Sequence, residues 1–485
     1  MKWRHALLAC ALSATVAHGQ PATLARTLSV AEAREDFDVL RGAFEEAHGA
    51  LYRFTPRAEL SRRFDGYRAR ITAPMSPLAF VSLLAEMNAA IGDGHSRFEY
   101  DSATMAAMNG AKVFPLRVNV EGDRLVVRSN DTPRDALIRP GDDIVSINGR
   151  TAAELLGEIL PRIPGDGSIE TGKRYRLSRN FSQLYWIFVS QAESFSVVAR
   201  DAAGRTVTAQ LDGVVETARA ANIAANPVNA QVQANAARLA GPPDNISLRF
   251  LEGVGYLKIR AFDGPTFGAV LDSVFRALRA DGTESLILDL RGNGGGVDMY
   301  GAKLVSEFAD RPFRYFDHIH LASIRPSFAT WKPSTFDEVR EGTVPDPQGG
   351  FLATPKLHAG VSEQAPSPDA FAGKLVVLTD GGTFSTSADV TAVLRHMKRA
   401  TFVGEETAGA YEGNTSGLNA LVILPNSRLR LKVQMFGYVN AVSGGRPGRG
   451  TIPDHEVVVT VADILRGEDP ALRRAVAMSK GGEPQ

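Results

Sequence analysis

The 485-residue chain has one cysteine, three tryptophans and no surplus of charge of either sign. A single cysteine excludes a disulfide framework and any zinc site built on cysteines. The 54 basic residues balance the 54 acidic ones, which argues against nucleic acid or an anionic membrane surface as a partner. The chain also lacks, beyond its start, any apolar run approaching the ~20 residues of a stable membrane span. An apolar content of 44% instead indicates a globular protein of about two to four domains.

The start of the chain has the pattern of a secretion signal. A short basic stretch, residues 1–5, precedes a largely apolar run at 6–17, and small residues stand at positions 17 and 19. This run is too short to span a bilayer as a mature helix. We therefore predict a signal peptide at residues 1–19 and an exported protein, either periplasmic or secreted. Cys10 falls inside this segment, and too few residues precede it to favour lipoprotein anchoring.

Changes in periodicity divide the rest of the chain. Residues 25–100 show helical three- and four-residue spacing, with a capping box at Ser29 and Glu32, and predict a helical module. Residues 110–215 alternate apolar and polar side chains and predict a β-rich domain. The Ala- and Asn-rich residues 216–245 are typical of a linker or a surface helix.

Strand and helix patterns alternate over residues 246–465, around an insertion at about 312–371. This alternation predicts an α/β domain with a largely parallel sheet. Two of its predicted strands run into glycine turns: one turn ends at Gly296, and the other leads to Ser385 at the start of a predicted helix. Backbone N–H groups of glycine turns can approach a developing negative charge, although a serine at a helix start is also the commonest cap.

Five segments carry a resemblance to a known family. They are Gly-Asp-Gly-His-Ser at 92–96, Arg-Pro-Gly-Asp-Asp-Ile-Val-Ser-Ile-Asn-Gly at 139–149, Asp-Leu-Arg-Gly-Asn-Gly-Gly-Gly at 289–296, Gly-Thr-Phe-Ser at 382–385 and Arg-Gly-Thr-Ile-Pro-Asp at 449–454. The second resembles a PDZ-domain segment. In this order the five resemble the tail-specific, or C-terminal-processing, serine peptidases, with their tricorn-core and interphotoreceptor-retinoid-binding relatives. The resemblance spans most of residues 30–460 and implies a ClpP/crotonase-like α/β core, an N-terminal helical module and an inserted PDZ-like β domain.

The resemblance also implies an activity and its residues. It implies an exported serine endopeptidase that hydrolyses peptide bonds through an acyl-enzyme on Ser385. Thr386 would supply one N–H group for the oxyanion, and Gly295 or Gly296 would supply the other. No metal and no organic cofactor is needed for acyl-enzyme formation, and the partner would be a peptide or protein substrate.

The general base is expected to be a histidine. The best-known branch of the family uses a lysine about 25 residues after the serine, but this chain has no lysine between Lys398 and Lys432. The tricorn-like branch takes its base from a histidine before the PDZ-like domain, and His95 fits that place. An imidazole titrates close enough to neutral pH to take the serine proton and return it to the leaving amine.

The group that should orient this imidazole is left open by the motifs. The tricorn-like branch has an acid a few residues before the final Pro-Asp, where this chain has no carboxylate. Glu412 is the tentative choice, with Asp93 and Ser96 as alternatives. The missing acid favours a competing hypothesis, a non-catalytic protein that binds a peptide or an apolar ligand on the same fold.

Two further expectations concern the regions outside this motif set. The insertion histidines lack acids at metal-binding spacing, so surface roles are predicted for His318, His320 and His358. The PDZ-like domain is expected to offer a strand edge and a pocket that receive the C-terminal end of a peptide by strand addition.

Overall fold

The computed structural model describes residues 26–99 and 102–481, so the signal peptide predicted at 1–19, with Cys10, lies outside the described residues. The helices are α1 (Val30–Ala47), α2 (Arg57–Ala69), α3 (Pro77–Ala89), α4 (Ser102–Gly110), α5 (Ala152–Ile159), α6 (Glu170–Phe188), α7 (Glu216–Ala225), α8 (Ala230–Ala240), α9 (Phe267–Asp281), α10 (Asp298–Ser306), α11 (Pro333–Glu341), α12 (Thr386–His396), α13 (Val461–Arg466) and α14 (Pro470–Ser479).

The strands follow in chain order. They are β1 (Arg97–Glu99), β2 (Leu116–Glu121), β3 (Arg124–Asn130), β4 (Asp143–Ile147), β5 (Arg150–Thr151), β6 (Ser194–Arg200), β7 (Thr206–Asp212), β8 (Ile246–Leu251), β9 (Val254–Ile259), β10 (Ser285–Asp289), β11 (Phe313–Arg314), β12 (Phe316–Leu321), β13 (Thr343–Pro345), β14 (Phe351–Ala353), β15 (Glu363–Gln364), β16 (Lys374–Thr379), β17 (Thr401–Gly404), β18 (Thr415–Ile423), β19 (Arg430–Asn440) and β20 (His455–Glu456).

Helices α1–α3 form the start of the described chain. The predicted capping box is present, because Ser29 and Glu32 each accept a hydrogen bond from the other's backbone N–H. Phe37 and Phe44 lie on the buried face of α1 and pack, with α2 and α3, against the apolar side chains of β18 and β19. This packing fixes the loop after α3, which carries His95, against the core.

Residues 116–212, called the middle domain below, form an antiparallel sheet in the order β2-β3-β4-β6-β7, with β5 paired to β4. The alternating pattern predicted this sheet, but it did not predict the 19-residue helix α6. Leu177, Phe181 and Tyr185 of α6 are buried against the sheet at four-residue spacing. Residues 216–245, which were expected to be a linker or a surface helix, contain α7 and α8.

The core sheet has the order β20-β17-β16-β10-β9-β8. Strands β9, β10, β16, β17 and β20 are parallel, and β8 is antiparallel to β9, so the predicted α/β class is confirmed. Residues 286–288 and 375–378 are buried on both faces of the sheet, as their continuous apolar runs require. Parallel pairing brings the carboxyl ends of β10 and β16, with their two glycine turns, to the same edge.

A second sheet joins three distant parts of the sequence. Its order is β1-β19-β12-β14-β13, with β18 paired to β19. The insertion supplies β12 to β14, and Ile319 of β12 pairs with Tyr438 of β19. The segment at 312–371 therefore belongs to the packed core. Within the described ranges, 26–99 and 102–481, no helix is both long and apolar enough to cross a membrane.

Candidate active site

Ser385 lies on a sharp turn between β16 and α12. Its backbone has φ +56° and ψ −135°, a conformation that a residue with a side chain rarely adopts. The hydroxyl makes no capping bond to the helix, so Ser385 does not act as an ordinary helix cap here. The turn is fixed from outside, because Thr383 donates to the carbonyl of Leu290 (3.0 Å) and the Phe384 N–H to that of Asn293 (3.0 Å). This is the strand–turn–helix arrangement that presents the nucleophilic serine of α/β-hydrolases.

The glycine turn after β10 lies against this serine. A Cβ atom at Gly295 would stand 2.6 Å from the Ser385 Cβ atom, and Gly295 has φ +99°. The Gly295 N–H donates to the side-chain oxygen of Asn293 (2.9 Å). By contrast, the N–H groups of Gly296 and Thr386 donate to no other described residue. The Thr386 hydroxyl donates to the Gly296 carbonyl (2.9 Å), which keeps these two residues adjacent.

His95 lies beside this turn but is not hydrogen-bonded to Ser385. Its ring stacks on the Phe384 ring, with 4.3 Å between centroids and 26° between planes. Neither ring nitrogen has a hydrogen-bond partner among the described residues. Burial lowers the pKa of His95 to about 4, although the negative charge of Asp93 acts to raise it. The ring is therefore neutral at pH 7.

Asp93 organises the loop that carries His95. Its carboxylate accepts hydrogen bonds from the His48 ring (3.0 Å), from the N–H groups of His95 (2.8 Å) and Ser96 (3.0 Å), and from the Thr415 hydroxyl. One oxygen lies 3.9 Å from Nδ1 of His95. Burial opposes ionisation, but the His48 hydrogen bond and the neighbouring donors hold the pKa of Asp93 well below its usual range. Asp93 is therefore a buried carboxylate next to the imidazole.

Asp166 and Arg176, which sequence reasoning did not single out, tie the middle domain to this loop. Asp166 accepts hydrogen bonds from the N–H groups of Gly94 (2.7 Å) and Ala410 (3.2 Å). Arg176 of α6 donates to the Gly94 carbonyl (3.0 Å), and its guanidinium lies 4.8 Å from the centre of the Phe384 ring. Burial and the charge of Asp93 raise the pKa of Asp166 to about 7.

One group of side chains has the composition of a metal site. A ring nitrogen of His95 and one oxygen each of Asp93 and Asp166 lie within 4.8 Å of one another. The carboxylates already accept six hydrogen bonds from the residues described above. These oxygens hold the loop together, and we assign no metal to them.

Glu412, the tentative orienting acid, accepts a hydrogen bond from the Gly448 N–H (2.7 Å). It makes no hydrogen bond to either ring nitrogen of His95. The two lysines on either side of the sequence position expected for a lysine base, about 25 residues after Ser385, lie elsewhere. Lys432 is ion-paired with Glu99 (2.5 Å), and Lys398 follows the end of α12.

His358 is not the surface residue that its sequence context predicted. Its side chain is 14% exposed, its Nε2 lies 3.2 Å from Oδ2 of Asp298, and it lines a cavity together with Ser385. His318 keeps the predicted surface position, beside Asp317 (2.7 Å). His320 contacts the carbonyls of Gly49 and Gly349. The sequence analysis looked only for acids at metal-binding spacing near each histidine. It therefore missed the contact of His358 with Asp298, which is 60 residues away in sequence.

The fold and this arrangement define a class, α/β proteins with a serine on a strand–turn–helix unit beside free backbone N–H groups. Comparison with known families then gives a more specific result. The model of peptidase family S41 matches residues 253–457, so the resemblance drawn from the motifs is confirmed. This match supports a protease of the serine peptidase class.

Comparison with solved structures extends the likeness to nearly the whole chain. Mature CPAF matches at 16% identity and a TM-score of 0.62, over 93% of this chain and 97% of that one. Mature CPAF complexed with lactacystin matches at 16% identity and a TM-score of 0.65, over 93% and 98%. The photosystem II D1 C-terminal processing protease matches at 17% identity and a TM-score of 0.42, over 91% and 98%. No curated protein sequence shows significant similarity to the chain. At these identities the CPAF matches show a shared fold.

Proposed function

We propose that the protein is a serine endopeptidase that forms an acyl-enzyme on Ser385, with His95 as general base. The observation that carries the proposal is the backbone of Ser385, which is held at φ +56° beside the free N–H groups of Gly296 and Thr386. Two such donors are what a tetrahedral oxyanion requires. Gly296 is the better partner of Thr386, because the N–H of Gly295 is already bonded to Asn293.

The proposed base must turn before it can accept the serine proton. In the present conformation the His95 ring stacks on Phe384 and both nitrogens are unpartnered. Buried polar atoms without partners cost about 1–3 kcal/mol. Reorientation towards the Ser385 hydroxyl would break no hydrogen bond of the ring and would satisfy one nitrogen. Catalytic hydrogen bonds that are long in a free enzyme often shorten when substrate binds.

Asp93 is our choice for the group that orients the base. It lies 3.9 Å from Nδ1 of His95 and already binds the backbone N–H of the same residue. Glu412 remains the alternative, although its carboxylate bonds to Gly448 in this conformation. Single replacements, Asp93→Asn and Glu412→Gln, distinguish the two candidates. Only the replacement of the acid that orients His95 should lower kcat steeply.

The middle domain would contribute to substrate binding through a sheet edge. Its edge strand β2 is covered by α6, because Ser178 accepts the Val120 N–H (2.8 Å) and Ser182 donates to the Phe114 carbonyl (2.8 Å). The other edge strand of this sheet is β7. We therefore place the proposed strand addition of a peptide at β7. We also propose export, on the pattern of residues 1–19.

An active-site probe tests the function. A fluorophosphonate should label the wild-type protein and fail to label Ser385→Ala. Ser387→Ala is the matched control, because Ser387 is buried two residues further along α12 and its hydroxyl has no described partner. Labelling that persists in Ser385→Ala would remove Ser385 as the nucleophile. A panel of peptide and ester substrates then separates a peptidase from an esterase.

The competing function is non-catalytic binding of a peptide or apolar ligand on the same fold. The observation that favours it is the absence of a hydrogen bond between His95 and Ser385 in this conformation. It predicts that no serine of the wild-type protein reacts with the fluorophosphonate.

A further inference from the structure

A cavity of about 250 Å³ opens directly beside Ser385. Its lining residues come from the glycine turn and start of α10, from the insertion and from β18: Gly296, Val297, Asp298, Met299, His358, Ser385, Ser416 and Gly417. Because the cavity contains both the proposed nucleophile and the proposed oxyanion donor Gly296, a side chain next to the reacting carbonyl would enter it. Sequence reasoning assigned no role to Asp298.

Asp298 gives this cavity an anionic end. Its Oδ2 atom accepts hydrogen bonds from the Tyr438 hydroxyl (2.9 Å) and from Nε2 of His358 (3.2 Å). Its Oδ1 atom (3.2 Å) shares the single proton of the Thr386 hydroxyl with the Gly296 carbonyl. Nδ1 of His358 accepts the Gly360 N–H (3.1 Å), so this imidazole is the neutral tautomer with its proton on Nε2. All three donors are uncharged groups.

No described lysine or arginine forms an ion pair with Asp298. The carboxylate is therefore hydrogen-bonded without being neutralised, and its side chain remains 18% exposed. Its charge acts on its surroundings: after burial, it is the next cause that raises the pKa of Asp389 to about 8 and that of Tyr438 well above its ordinary value. A cation entering the cavity would meet an uncompensated negative charge.

We propose that this cavity is the specificity pocket of the enzyme and receives a lysine or arginine side chain of the substrate residue whose carbonyl is attacked. The inference rests on the proposed function, since it names the substrate class of the same site. Val297 and Met299 offer apolar surface to the methylene groups of such a side chain, and Asp298 binds its charged end. An acid in the pocket beside the nucleophile is also how other serine peptidases select basic residues.

The first experiment measures binding without turnover. Benzamidine, a small aromatic amidine, is titrated calorimetrically into the Ser385→Ala protein. We expect it to bind, and we expect Asp298→Asn in the same background to raise its Kd at least tenfold. Asp317→Asn is the matched control, because Asp317 also pairs with an insertion histidine but lies on the exposed surface. Absence of binding, or equal Kd values for the Asp298 and Asp317 variants, would overturn the proposal.

A second variant covers the case in which Asp298→Asn does not fold. Val297 is 44% exposed at the rim of the cavity, so Val297→Lys should fold and place an amine next to Asp298. We expect it to raise the Kd of benzamidine at least tenfold, whereas Val344→Lys, at an insertion residue that is 47% exposed, should leave the Kd unchanged. Unchanged binding in Val297→Lys contradicts the pocket assignment.

The second experiment compares kcat/KM for peptides that differ only in arginine, lysine, leucine or glutamate at the cleaved residue. We expect the wild type to prefer the basic residues and Asp298→Asn to lower the ratio of basic to leucine substrates at least tenfold. An equal fall for all substrates would show that Asp298 only positions Thr386, and it would refute the specificity role. If no peptide is cleaved but benzamidine binds in an Asp298-dependent manner, the proposed function fails and the cation pocket stands. If peptides are cleaved without a preference for basic residues, the proposed function stands and the cation pocket fails.

Discussion

Ser385 is strained, and its neighbours maintain the strain. A residue with a side chain at φ +56° and ψ −135° costs about 1–3 kcal/mol relative to an ordinary conformation. Hydrogen bonds on both sides oppose relaxation, since the Phe384 N–H bonds to Asn293 and the Ala388 N–H to the Ser385 carbonyl (2.7 Å). The backbone of Ser385 is consequently held in this strained conformation by the surrounding turn and helix.

Gly295 provides the first prediction at the residue scale. Gly295→Ala would place a methyl group 2.6 Å from the Ser385 Cβ atom and 2.9 Å from the Thr386 nitrogen, at a backbone φ of +99°. We expect the rate of fluorophosphonate labelling to fall by about 100-fold or more, as when an oxyanion donor is displaced. Gly294→Ala is the control, because its Cβ atom would meet nothing within 4 Å. Equal labelling rates for the two variants would contradict the described packing.

His95 provides the second prediction at the residue scale. Because burial lowers its pKa to about 4, the neutral imidazole needed for base catalysis persists well below pH 6.5. We expect the acid limb of kcat/KM, which reports the free enzyme, to have its midpoint below 6.5. His95→Ala should reduce kcat by several orders of magnitude with the fold retained. An acid limb at 6.5 or above would mean that the free enzyme does not hold His95 in the buried, stacked position.

At the scale of elements, α6 supports the site and was missed by the sequence analysis. The alternating pattern of the surrounding residues predicted strands from 110 to 215, although Leu177, Phe181 and Tyr185 have helical spacing. Helix α6 also carries Tyr175, whose ring would be 2.6 Å from a Cβ atom at Gly382 in the turn that leads to Ser385. The middle domain is thus packed against the turn that carries Ser385 as well as being a candidate for substrate binding.

Replacing Arg176 tests whether α6 stabilises the site. Arg176→Met removes hydrogen bonds to the carbonyls of Pro164 (2.7 Å) and Gly94 (3.0 Å) and the cation over the Phe384 ring. We expect the free energy of unfolding to fall by about 1–3 kcal/mol and the labelling rate to fall with it. Arg179→Met is the control on the same helix, because Arg179 is exposed. Both variants are compared by urea unfolding and probe kinetics, and an effect of the same size in each would refute a specific role for Arg176.

At the scale of the whole molecule, buried carboxylates join segments that are far apart in sequence. Asp166 precedes α6, yet it binds the N–H of Gly94 in the loop after α3 and that of Ala410 between β17 and β18. Burial and the charge of Asp93 raise the pKa of Asp166, and the two N–H hydrogen bonds only partly oppose this shift. The stability of the molecule should therefore depend on pH through Asp166.

The sign of this dependence follows from the shift. The pKa of Asp166 is raised from 3.8 to about 7 in the folded protein, so the unfolded chain loses this proton first. The contribution of Asp166 to stability therefore decreases as the pH rises from about 4 to about 7. We expect Asp166→Asn, measured by urea unfolding, to gain stability relative to wild type over this range, on the order of 1.4 kcal/mol per pKa unit.

The exposed residue Asp123 supplies the control for this experiment. Asp123→Asn should show no such change with pH. A stability difference between Asp166→Asn and wild type that stays constant from pH 4 to pH 8 would contradict the raised pKa.

The core elements and the turn that carries Ser385 were predictable because their signals are local. The two strands predicted to run into glycine turns are observed as β10 and β16, and the helix predicted to begin at Ser385 begins at Thr386. Apolar runs and glycine turns act over a few residues, so a pattern read along the chain finds them. The surroundings of His95, by contrast, come from α1, the middle domain and β18, which no local pattern connects.

By itself, the sequence determined the α/β alternation, the capping box of α1, the glycine turns after β10 and β16, and the resemblance to the S41 peptidases, because each depends on residues that are neighbours along the chain. Only the tertiary structure decided that Asp93 rather than Glu412 lies beside His95, that Gly296 rather than Gly295 has a free N–H, and that His358 and Asp298 line the cavity at Ser385. The contact between His358 and Asp298 joins segments 60 residues apart, and the other two outcomes depend on local backbone and side-chain conformations that no residue pattern specifies. The packing of the folded molecule fixes both the distance and the conformations.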